Sequence, residues 1–282
     1  VLYRTTKKGN IMRWLFEKDD DGFILPGDQL LADAVVANGD SVEFITQDKS
    51  HLIPVVNINI EVPTIIRCGL KCRRVLSVLD IYPGAYYSVD DTKCTGYYPQ
   101  LLNYLLNEDH VFIAAGCLKN TRYVDFLKTK FGEQVFIRPN DGDKKFTGGI
   151  SYLSDGDLEY ITQNPSIKDH DILLISSAKN TIDVEYRFVV YNKEIIASNC
   201  EETDRAAFYS YLQQILDSNC YKPRSPLYTI DICDDKTKLS IVELNSFSCA
   251  GLDGFPAAEL QKVAKRVGEI VVQDFKDADD NV

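Results

Sequence analysis

Strand-like and helix-like segments alternate from the start of the chain, and this alternation limits the possible folds most. Residues 11–16 and 41–46 have the apolar and alternating patterns of short strands, and residues 29–37 between them have a helical pattern. Asn38-Gly39 follows this helix and is a common helix stop. Another strand is predicted at residues 62–66. Strand, helix and strand joined by short links form the βαβ pattern of an open sheet, so we expect an N-terminal α/β lobe.

The remainder of the 282-residue chain continues with mixed elements. Residues 82–99 are rich in Tyr, Gly and Asp without clear periodicity, and we interpret them as a connecting loop. Further helices are predicted at residues 101–106, 120–131, 155–163 and 204–218, and strands at 135–139, 172–176, 184–190, 194–197, 228–233 and 239–244. Pro256 opens a last helix, whose buried stripe is predicted to be Leu260, Val263, Val267, Ile270 and Val271. At roughly 100–200 residues per domain, we predict three coupled α/β (α+β) lobes: residues 1–100, 101–176 and 177–282.

Two of these strands form a hairpin around Asp234-Asp235-Lys236-Thr237, and three polar residues share one of its faces. Glu243 and Asn245 are two apart, and a turn centred near Lys236 pairs Asp231 with Ile241, which places all three side chains together. Two carboxylates and an amide oxygen are hard ligands that suit Mg²⁺ shared with substrate phosphates. A solvated polar strand face is the alternative, and the pattern alone does not separate the two.

A cation followed by a glycine-rich segment is the second candidate site. Arg138 ends an apolar strand before Pro139, where a guanidinium can clamp phosphate oxygens. Glycines let a backbone approach phosphates and present successive N–H groups to them. The spacing is not that of a P-loop, and a Gly-Gly turn alone is weak evidence. The segment that follows Arg138 contains Lys144, Lys145, Thr147, Gly148 and Gly149.

Glu185 and Arg187 lie two apart in a predicted strand and therefore share a face. A carboxylate and a guanidinium there could hold a ribose and a phosphate. A cross-strand salt bridge, which contributes little on an exposed face, is the alternative.

The densest basic cluster contains Arg67, Lys71, Arg73 and Arg74 and no acidic residue. A solvated helix face is the more common explanation for such a run. Arg67 differs because it follows a predicted strand, and ligands of open α/β sheets bind at the carboxyl ends of the strands. We therefore expect Arg67 to help hold an anionic acceptor or a triphosphate.

Composition narrows the functional classes. A formal net charge of −11 argues against a broad nucleic-acid-binding surface, which needs a basic footprint. The eight cysteines are thinly spread and are expected to be reduced, mostly buried thiols of a cytoplasmic protein, with a metal site at Cys68 and Cys72 as a remote alternative. No apolar run approaches the ~20 residues that span a bilayer, and the first residues resemble no signal peptide. His51, His110 and His170 lie in ordinary contexts, and we expect no catalytic role for them.

The order of the motifs resembles the ATP-grasp family, specifically the clade in which an arginine replaces the second phosphate-binding lysine. The resemblance covers roughly residues 110–275 and rests on ordered co-occurrence rather than on any single motif. The matching stretches are VFIRP at 135–139, KFTGG at 145–149, EYRFVV at 185–190, Asp231-Ile232 and VELNSF at 242–247.

The resemblance implies an N-terminal α/β lobe before two ATP-binding lobes, with ATP between the last two. It implies a ligase that uses ATP and Mg²⁺ to convert a carboxylate to an acyl-phosphate and joins it to an amine, with a peptide or protein as a plausible acceptor. Acyl-phosphate formation needs mainly positioning and charge neutralisation, which cations and Mg²⁺ supply. A phosphotransferase on the same scaffold and a non-catalytic nucleotide-binding module are the alternatives.

The resemblance also assigns roles. Arg138 would contact the ATP phosphates, and the loop from Lys145 through Thr147 and Gly148 to Gly149 would close over them. Residues 172–177, including Ser176, would line the adenine pocket. Three further expectations follow: Lys179 and Glu185 as nucleotide contacts, Arg187 facing the phosphates or the acyl-phosphate, and Asp231, Glu243 and Asn245 as Mg²⁺ ligands. Lys119 is the candidate for the first phosphate-binding lysine.

Overall fold

A computed structural model describes residues 12–19, 21–46, 62–70, 81–142, 144–179 and 182–279. Within these residues the strands form three four-stranded sheets. The strands are β1 Arg13–Lys18, β2 Ser41–Thr46, β3 Thr64–Arg67, β4 Pro83–Gly84, β5 Val111–Ala114, β6 Gln134–Pro139, β7 Gly149–Tyr152, β8 Ile172–Ser177, β9 Val184–Tyr191, β10 Glu194–Ser198, β11 Leu227–Asp234 and β12 Leu239–Ser246. The helices are α1 Pro26–Ala37, α2 Val89–Thr92, α3 Cys94–Leu101, α4 Thr121–Phe131, α5 Asp155–Thr162, α6 Glu202–Ser218 and α7 Ala257–Asp279.

The N-terminal sheet has the strand order β2-β1-β3-β4. Its strands pair in parallel, and α1 connects β1 to β2, so the predicted βαβ unit is confirmed. The helix begins at Pro26, three residues before the predicted start, because Pro fits the first helical turn. It ends before Asn38, whose backbone N–H donates to the carbonyl of Ala34. The carboxyl ends of β1 and β3 therefore lie at one edge of this sheet.

The central sheet has the order β5-β8-β6-β7 and is antiparallel. Helix α4 begins after Asn120, whose side chain caps it by accepting a hydrogen bond from the N–H of Arg122. Leu127 of α4 is buried in the core of this sheet. Tyr123 and Phe126 of the same helix are about half exposed.

The C-terminal sheet has the order β10-β9-β11-β12 and is antiparallel. The hairpin of β11 and β12 is confirmed, but its register was predicted wrongly. Next to the turn Ile232 lies opposite Ile241, one residue from the predicted pairing, and a β-bulge between Asp231 and Ile232 adds a second residue, so that Asp231 lies opposite Glu243 rather than Ile241. The two carboxylates are therefore direct neighbours across the two strands, closer than the unbulged register would place them.

Residues 82–99 are not the connecting loop that was predicted, because they contain β4, α2 and most of α3. Gly96 and Pro99 inside α3 argue locally against a helix. Tertiary contacts overcome this preference, because Tyr97, Tyr98 and Leu101 are fully buried and pack against the C-terminal sheet. The N-terminus of α3 is held by Asn140, which accepts hydrogen bonds from the N–H groups of Cys94 and Thr95.

Helix α7 joins the N-terminal and C-terminal sheets. Its predicted stripe is confirmed as fully buried: Leu260, Val263, Val267, Ile270 and Val271. These side chains share one hydrophobic cluster with Trp14 of β1, Leu31 of α1 and Val189 of β9. The core of the central sheet is a separate cluster of residues between 111 and 175. The division at residues 100 and 176 stays a prediction.

The described cysteines are reduced thiols. None of the seven described cysteines forms a disulfide bond, and four of them are buried. Cys72, the proposed partner of Cys68 in a metal site, lies outside the described residues, as do Lys71, Arg73 and Arg74. No described helix is long and apolar enough to cross a membrane. The cytoplasmic location stays a prediction.

Candidate functional site

A cavity of about 380 Å³ lies between the central and C-terminal sheets. The end of β6, the loop before β7 and the segment after β8 form one side, while β9 and β12 form the other. Its wall is apolar at Phe136, Ile150 and Val242 and charged where the two sheets meet. The remaining lining residues are Leu106, Asn107, Arg138, Pro139, Lys144, Phe146, Thr147, Gly148, Gly149, Lys179, Ile182, Glu185 and Glu243. The cavity thus offers an apolar wall and a cluster of cations in one space, as a nucleotide requires.

Arg138 stands where β6 ends, with only 8% of its surface exposed. One guanidinium nitrogen donates to Oε2 of Glu243 on the opposite sheet at 2.9 Å. The loop backbone passes closely over Arg138, since a Cβ added at Gly148 would lie 2.8 Å from the Arg138 Cβ. A side chain at 148 would collide there, so glycine lets the loop pack against the strand that carries the cation.

Glu243 collects donors from three directions. Its Oε2 accepts from Arg138, and its Oε1 accepts from Lys144 Nζ at 3.1 Å and from Asn245 Nδ2 at 2.8 Å. Burial by itself raises the pKa of Glu243, but the charges of Arg138 and Lys144 outweigh burial and lower the pKa to about 2. Glu243 is therefore a carboxylate at neutral pH, and it links the two sheets.

This low pKa predicts an acid-dependent contribution to stability. The pKa of Glu243 falls from its usual 4.5 to about 2 on folding, so its contribution is complete above about pH 4.5 and is lost as the pH falls toward 2. We expect Glu243→Gln to lower the free energy of unfolding at pH 6 by more than at pH 3. Urea denaturation of both proteins between pH 3 and 6 measures the difference. A difference that is constant over this range would contradict the assignment.

Asp231 is only 1% exposed and is held by a two-pronged ion pair. The Nε of Arg187 donates to its Oδ1 at 2.7 Å, and a terminal nitrogen of the same guanidinium donates to Oδ2 at 2.6 Å. Arg187 also donates to the carbonyl of Gly251 at 2.7 Å. Burial raises the pKa of Asp231, and the fork to Arg187 opposes this rise. Arg187 lies directly opposite Asp231 on the neighbouring strand, so the alternative of a cross-strand salt bridge describes this contact, although the carboxylate is buried and not on an exposed face.

The structure brings the three predicted metal ligands together on one face. Asn245 Nδ2 donates to Glu243 at 2.8 Å and to Asp231 at 3.3 Å, so the three side chains meet. No group of three or more His, Cys, Asp or Glu residues suited to a metal occurs among the described residues. Two carboxylates and one amide oxygen nevertheless fit Mg²⁺ shared with phosphates, because such sites use few protein ligands. The Asn245 amide, which points its nitrogen at the carboxylates, would have to turn to present its oxygen.

Five other residues that were predicted to contact the nucleotide line the cavity. Lys179 and Glu185 line the cavity, as do Thr147, Gly148 and Gly149. Lys179 pairs with Asp109 at 3.2 Å. Burial, followed by the charge of Asp231, raises the pKa of Glu185.

Three predicted contacts lie elsewhere. Lys145 pairs with Asp171 at 2.6 Å, away from the cavity lining, and its neighbour Lys144 reaches the cavity instead. Lys144 has a positive φ of 45°. Ser176 is completely buried behind Asn107, to whose Oδ1 its hydroxyl donates. Lys119 pairs with Asp169 and is also absent from the lining residues.

Arg67 does not reach the cavity, although the sequence favoured a role in binding an anion. Its side chain is 1% exposed, and its guanidinium donates to Asp28 and to the carbonyls of Phe247 and Ala250. These contacts use the carboxyl end of β3 to fasten the segment that follows β12. The observed role of Arg67 is therefore structural support beneath the site.

A second cavity of about 170 Å³ adjoins the first and shares Glu185 with it. Its other lining residues are Arg187, Asn199, Asp231, Gly251 and Asp253. Asn199 and Asp253 were not predicted from the sequence. The Gly-Leu-Asp-Gly turn at 251–254 directly after the hairpin was the available signal for Asp253. Asn199 carried no signal, because it lies in an ordinary strand end.

Comparison with known proteins identifies the fold. No protein-family model matches the chain, and no curated protein matches it. Among solved structures, the D-alanine-D-alanine ligase from Coxiella burnetii superposes with a TM-score of 0.63 at 8% identity, covering 95% of this chain and 97% of that one. The RimK domain ATP-grasp protein from Sphaerobacter thermophilus gives 0.60 at 12% identity, covering 89% and 98%. The D-alanine-D-alanine ligase from Bacillus anthracis complexed with ATP gives 0.57 at 12% identity, covering 94% and 99%. The chain therefore has the ATP-grasp fold.

Proposed function

We propose that this protein is an ATP- and Mg²⁺-dependent ligase that joins a carboxylate to an amine through an acyl-phosphate. The observation that carries the proposal is the meeting of Arg138, Lys144 and Arg187 with Asp231 and Glu243 where the two cavities adjoin. Solved structures of the same fold include proteins named D-alanine-D-alanine ligase, one of them complexed with ATP. The arginine at 138 supports membership of the clade with that replacement.

In this proposal the cationic residues bind the phosphates, and the carboxylates bind Mg²⁺. Arg138 and Lys144 would move from Glu243 to the phosphate oxygens, where fixed cations stabilise the charge that spreads during phosphoryl transfer. Arg187, held in place by Asp231, would face the transferred phosphoryl group. Mg²⁺, when held by Asp231, Glu243 and Asn245, supplies further neutralisation of the phosphate charge. The apolar wall at Phe136 and Val242 would hold the base and exclude water.

The proposed substrates are a carboxylate and an amine, because this type of ligase joins these two groups. A peptide or protein as the acceptor is part of the same proposal. We also propose that the chain divides into three lobes, residues 1–100, 101–176 and 177–282, and that the protein is cytoplasmic.

Product analysis separates this function from its rivals. The purified protein is incubated with Mg²⁺ and ATP, with amino acids and peptides supplied singly and in pairs, and the products are identified by mass spectrometry. We expect ADP and phosphate release together with an amide product only when both a carboxylate and an amine are present. A phosphorylated single substrate would identify a phosphotransferase instead. Nucleotide binding without turnover on any acceptor would identify a non-catalytic module.

A further inference from the structure

Arg67 joins the carboxyl end of β3 to the segment that follows β12. Its Nε and one terminal nitrogen donate to Oδ1 of Asp28, at 3.0 and 2.7 Å. Its terminal nitrogens also donate to the carbonyl of Phe247 and, at 2.6 Å, to the carbonyl of Ala250. The guanidinium that makes these bonds is buried, with 1% of the residue exposed, so the position of Ala250 is fixed from the N-terminal sheet.

The residue after Ala250 connects this contact to the proposed reaction. The carbonyl of Gly251 accepts from a terminal nitrogen of Arg187 at 2.7 Å, in addition to the two bonds that Arg187 makes to Asp231. Gly251 has no side chain that restricts its φ and ψ. The direction of its carbonyl therefore depends on how the residues before and after it are held.

The residues after Gly251 are held by the start of α1. Oδ1 of Asp253 accepts from the N–H of Gly27 at 2.9 Å. The backbone of α1 lies directly against this segment, because a Cβ added at Gly27 would lie 2.5 Å from the carbonyl carbon of Leu252. The N-terminal lobe therefore holds the chain on both sides of Gly251, through Arg67 before it and through Gly27 after it.

We propose that Arg67 is a positioning residue, which directs the guanidinium of Arg187 through the carbonyl of Gly251. Arg67 lines neither of the two cavities, so it affects a ligand bound in them through the residues that it holds. A displacement of roughly 1 Å at a reacting group can cost about a hundredfold in rate, so such a remote contact can change turnover. The proposal rests on the proposed function for the reaction that Arg187 assists, whereas the orientation of Arg187 is measurable without turnover.

Two conservative variants separate positioning from general stability. Arg67→Lys keeps a cation beside Asp28, but a single ammonium group cannot replace the planar fork that reaches a carboxylate and two carbonyls at once. Arg13→Lys is the matched control, because Arg13 is also nearly buried in the same sheet, with 5% of its surface exposed. Its partners in the described part of the chain include Glu43 and the hydroxyl of Thr64. Thermal unfolding shows that each variant is folded.

The Nε–H group of Arg187 reports its orientation without nucleotide. Its signal in a proton–nitrogen correlation spectrum is identified by its absence from Arg187→Lys, and its bond to Asp231 slows its exchange with solvent. We expect Arg67→Lys to shift this signal and to speed its exchange about tenfold or more, since a hydrogen bond to a charged group contributes this much. Arg13→Lys should leave both unchanged. An unchanged Arg187 signal in folded Arg67→Lys would overturn the proposal.

Steady-state kinetics give the second readout. We expect Arg67→Lys to lower kcat about tenfold and to leave the KM for ATP within about a factor of two. In the Arg187→Lys background the same change should lower kcat by less than about twofold, because residues that act through each other are not additive. Equal losses in the two backgrounds would overturn the proposal. Absence of turnover in the unmodified protein would count against the proposed function, and the Arg187 signal would then decide this proposal alone.

Gly27→Ala takes the place of Arg67→Lys if that variant does not fold. The added methyl group meets the backbone at Leu252 while every charge is kept, and alanine favours the helix. The same change of the Arg187 signal is expected, and a signal identical to that of the unmodified protein would overturn the proposal.

Discussion

Replacing Glu243 by Gln together with Asp231 by Asn should abolish Mg²⁺-dependent ATP turnover, with a loss of roughly a thousandfold or more. The two changes remove the negative charge that would hold Mg²⁺ while keeping side-chain volume and one hydrogen-bond acceptor on each side chain. Amides are the better choice, because alanine would leave the nearly buried Arg138 and the partly buried Arg187 without partners. Losing one partner of a buried ion pair costs about 3–5 kcal/mol, so a double alanine variant would mix unfolding with loss of the site.

The control for this double variant changes the same residue types elsewhere. Asp217→Asn with Glu269→Gln alters two exposed carboxylates, on α6 and α7, and should leave turnover within a factor of two. Steady-state kinetics give the effect on turnover, and calorimetric titration of Mg²⁺-ATP gives the effect on binding. Thermal unfolding of all three proteins shows whether the folded state is kept. Unchanged turnover in a folded Asp231 and Glu243 double variant would refute the metal assignment.

Arg187→Lys should reduce kcat by about a hundredfold or more and leave the KM for ATP less affected. Lysine keeps the charge but cannot make the two parallel hydrogen bonds to Asp231 or the third to Gly251, so the cation loses its fixed direction. A group that stabilises charge mainly in the transition state affects kcat more than ground-state binding. Single-turnover measurements of ADP formation separate the chemical step from product release.

Arg266→Lys is a closely matched control. Arg266 makes a similar fork to Glu194, with Nε at 2.9 Å and a terminal nitrogen at 2.7 Å, but on the surface of α7. Its replacement removes the same fork and should leave kcat unchanged. An equal loss of activity in both variants would mean that Arg187 acts through general stability rather than at the reacting phosphate.

Most elements were predictable because the apolar pattern and the local stop signals agree with the final fold. The helix stop at Asn38 and the stripe on α7 depend only on neighbouring residues, and both were correct. Helix α3 was missed because its support is remote in sequence: Asn140 caps it from 45 residues away. The hairpin register was wrong by two residues at Asp231, one from the turn and one from a β-bulge that has no clear signature in this strand.

In the candidate site, too, features set by neighbouring residues were predictable, and features set by residues distant in sequence were not. The face shared by Glu243 and Asn245 follows from strand periodicity and was predictable. Lys144, which has a positive φ, lines the cavity, whereas the sequence favoured its neighbour Lys145, which pairs with Asp171. Arg67 was overestimated because its position at a strand end is visible, while the carbonyls of Phe247 and Ala250 that engage it lie about 180 residues further along.

The hydrophobic cluster that α7 shares with β1, α1 and β9 has a mechanical consequence. Since the two outer sheets are joined through one core, we expect them to move as a single rigid body. The central sheet has a core of its own on one face and contributes Leu174, with Phe112 and Phe136, to the cluster of the C-terminal sheet on the other, so we expect relative motion to occur between these two sheets. Such a motion would break the contacts of Glu243 with Arg138 and Lys144. The groups proposed to receive the phosphates therefore also join the two sheets through Glu243, so nucleotide binding and release of Glu243 would be a single exchange of ion-pair partners.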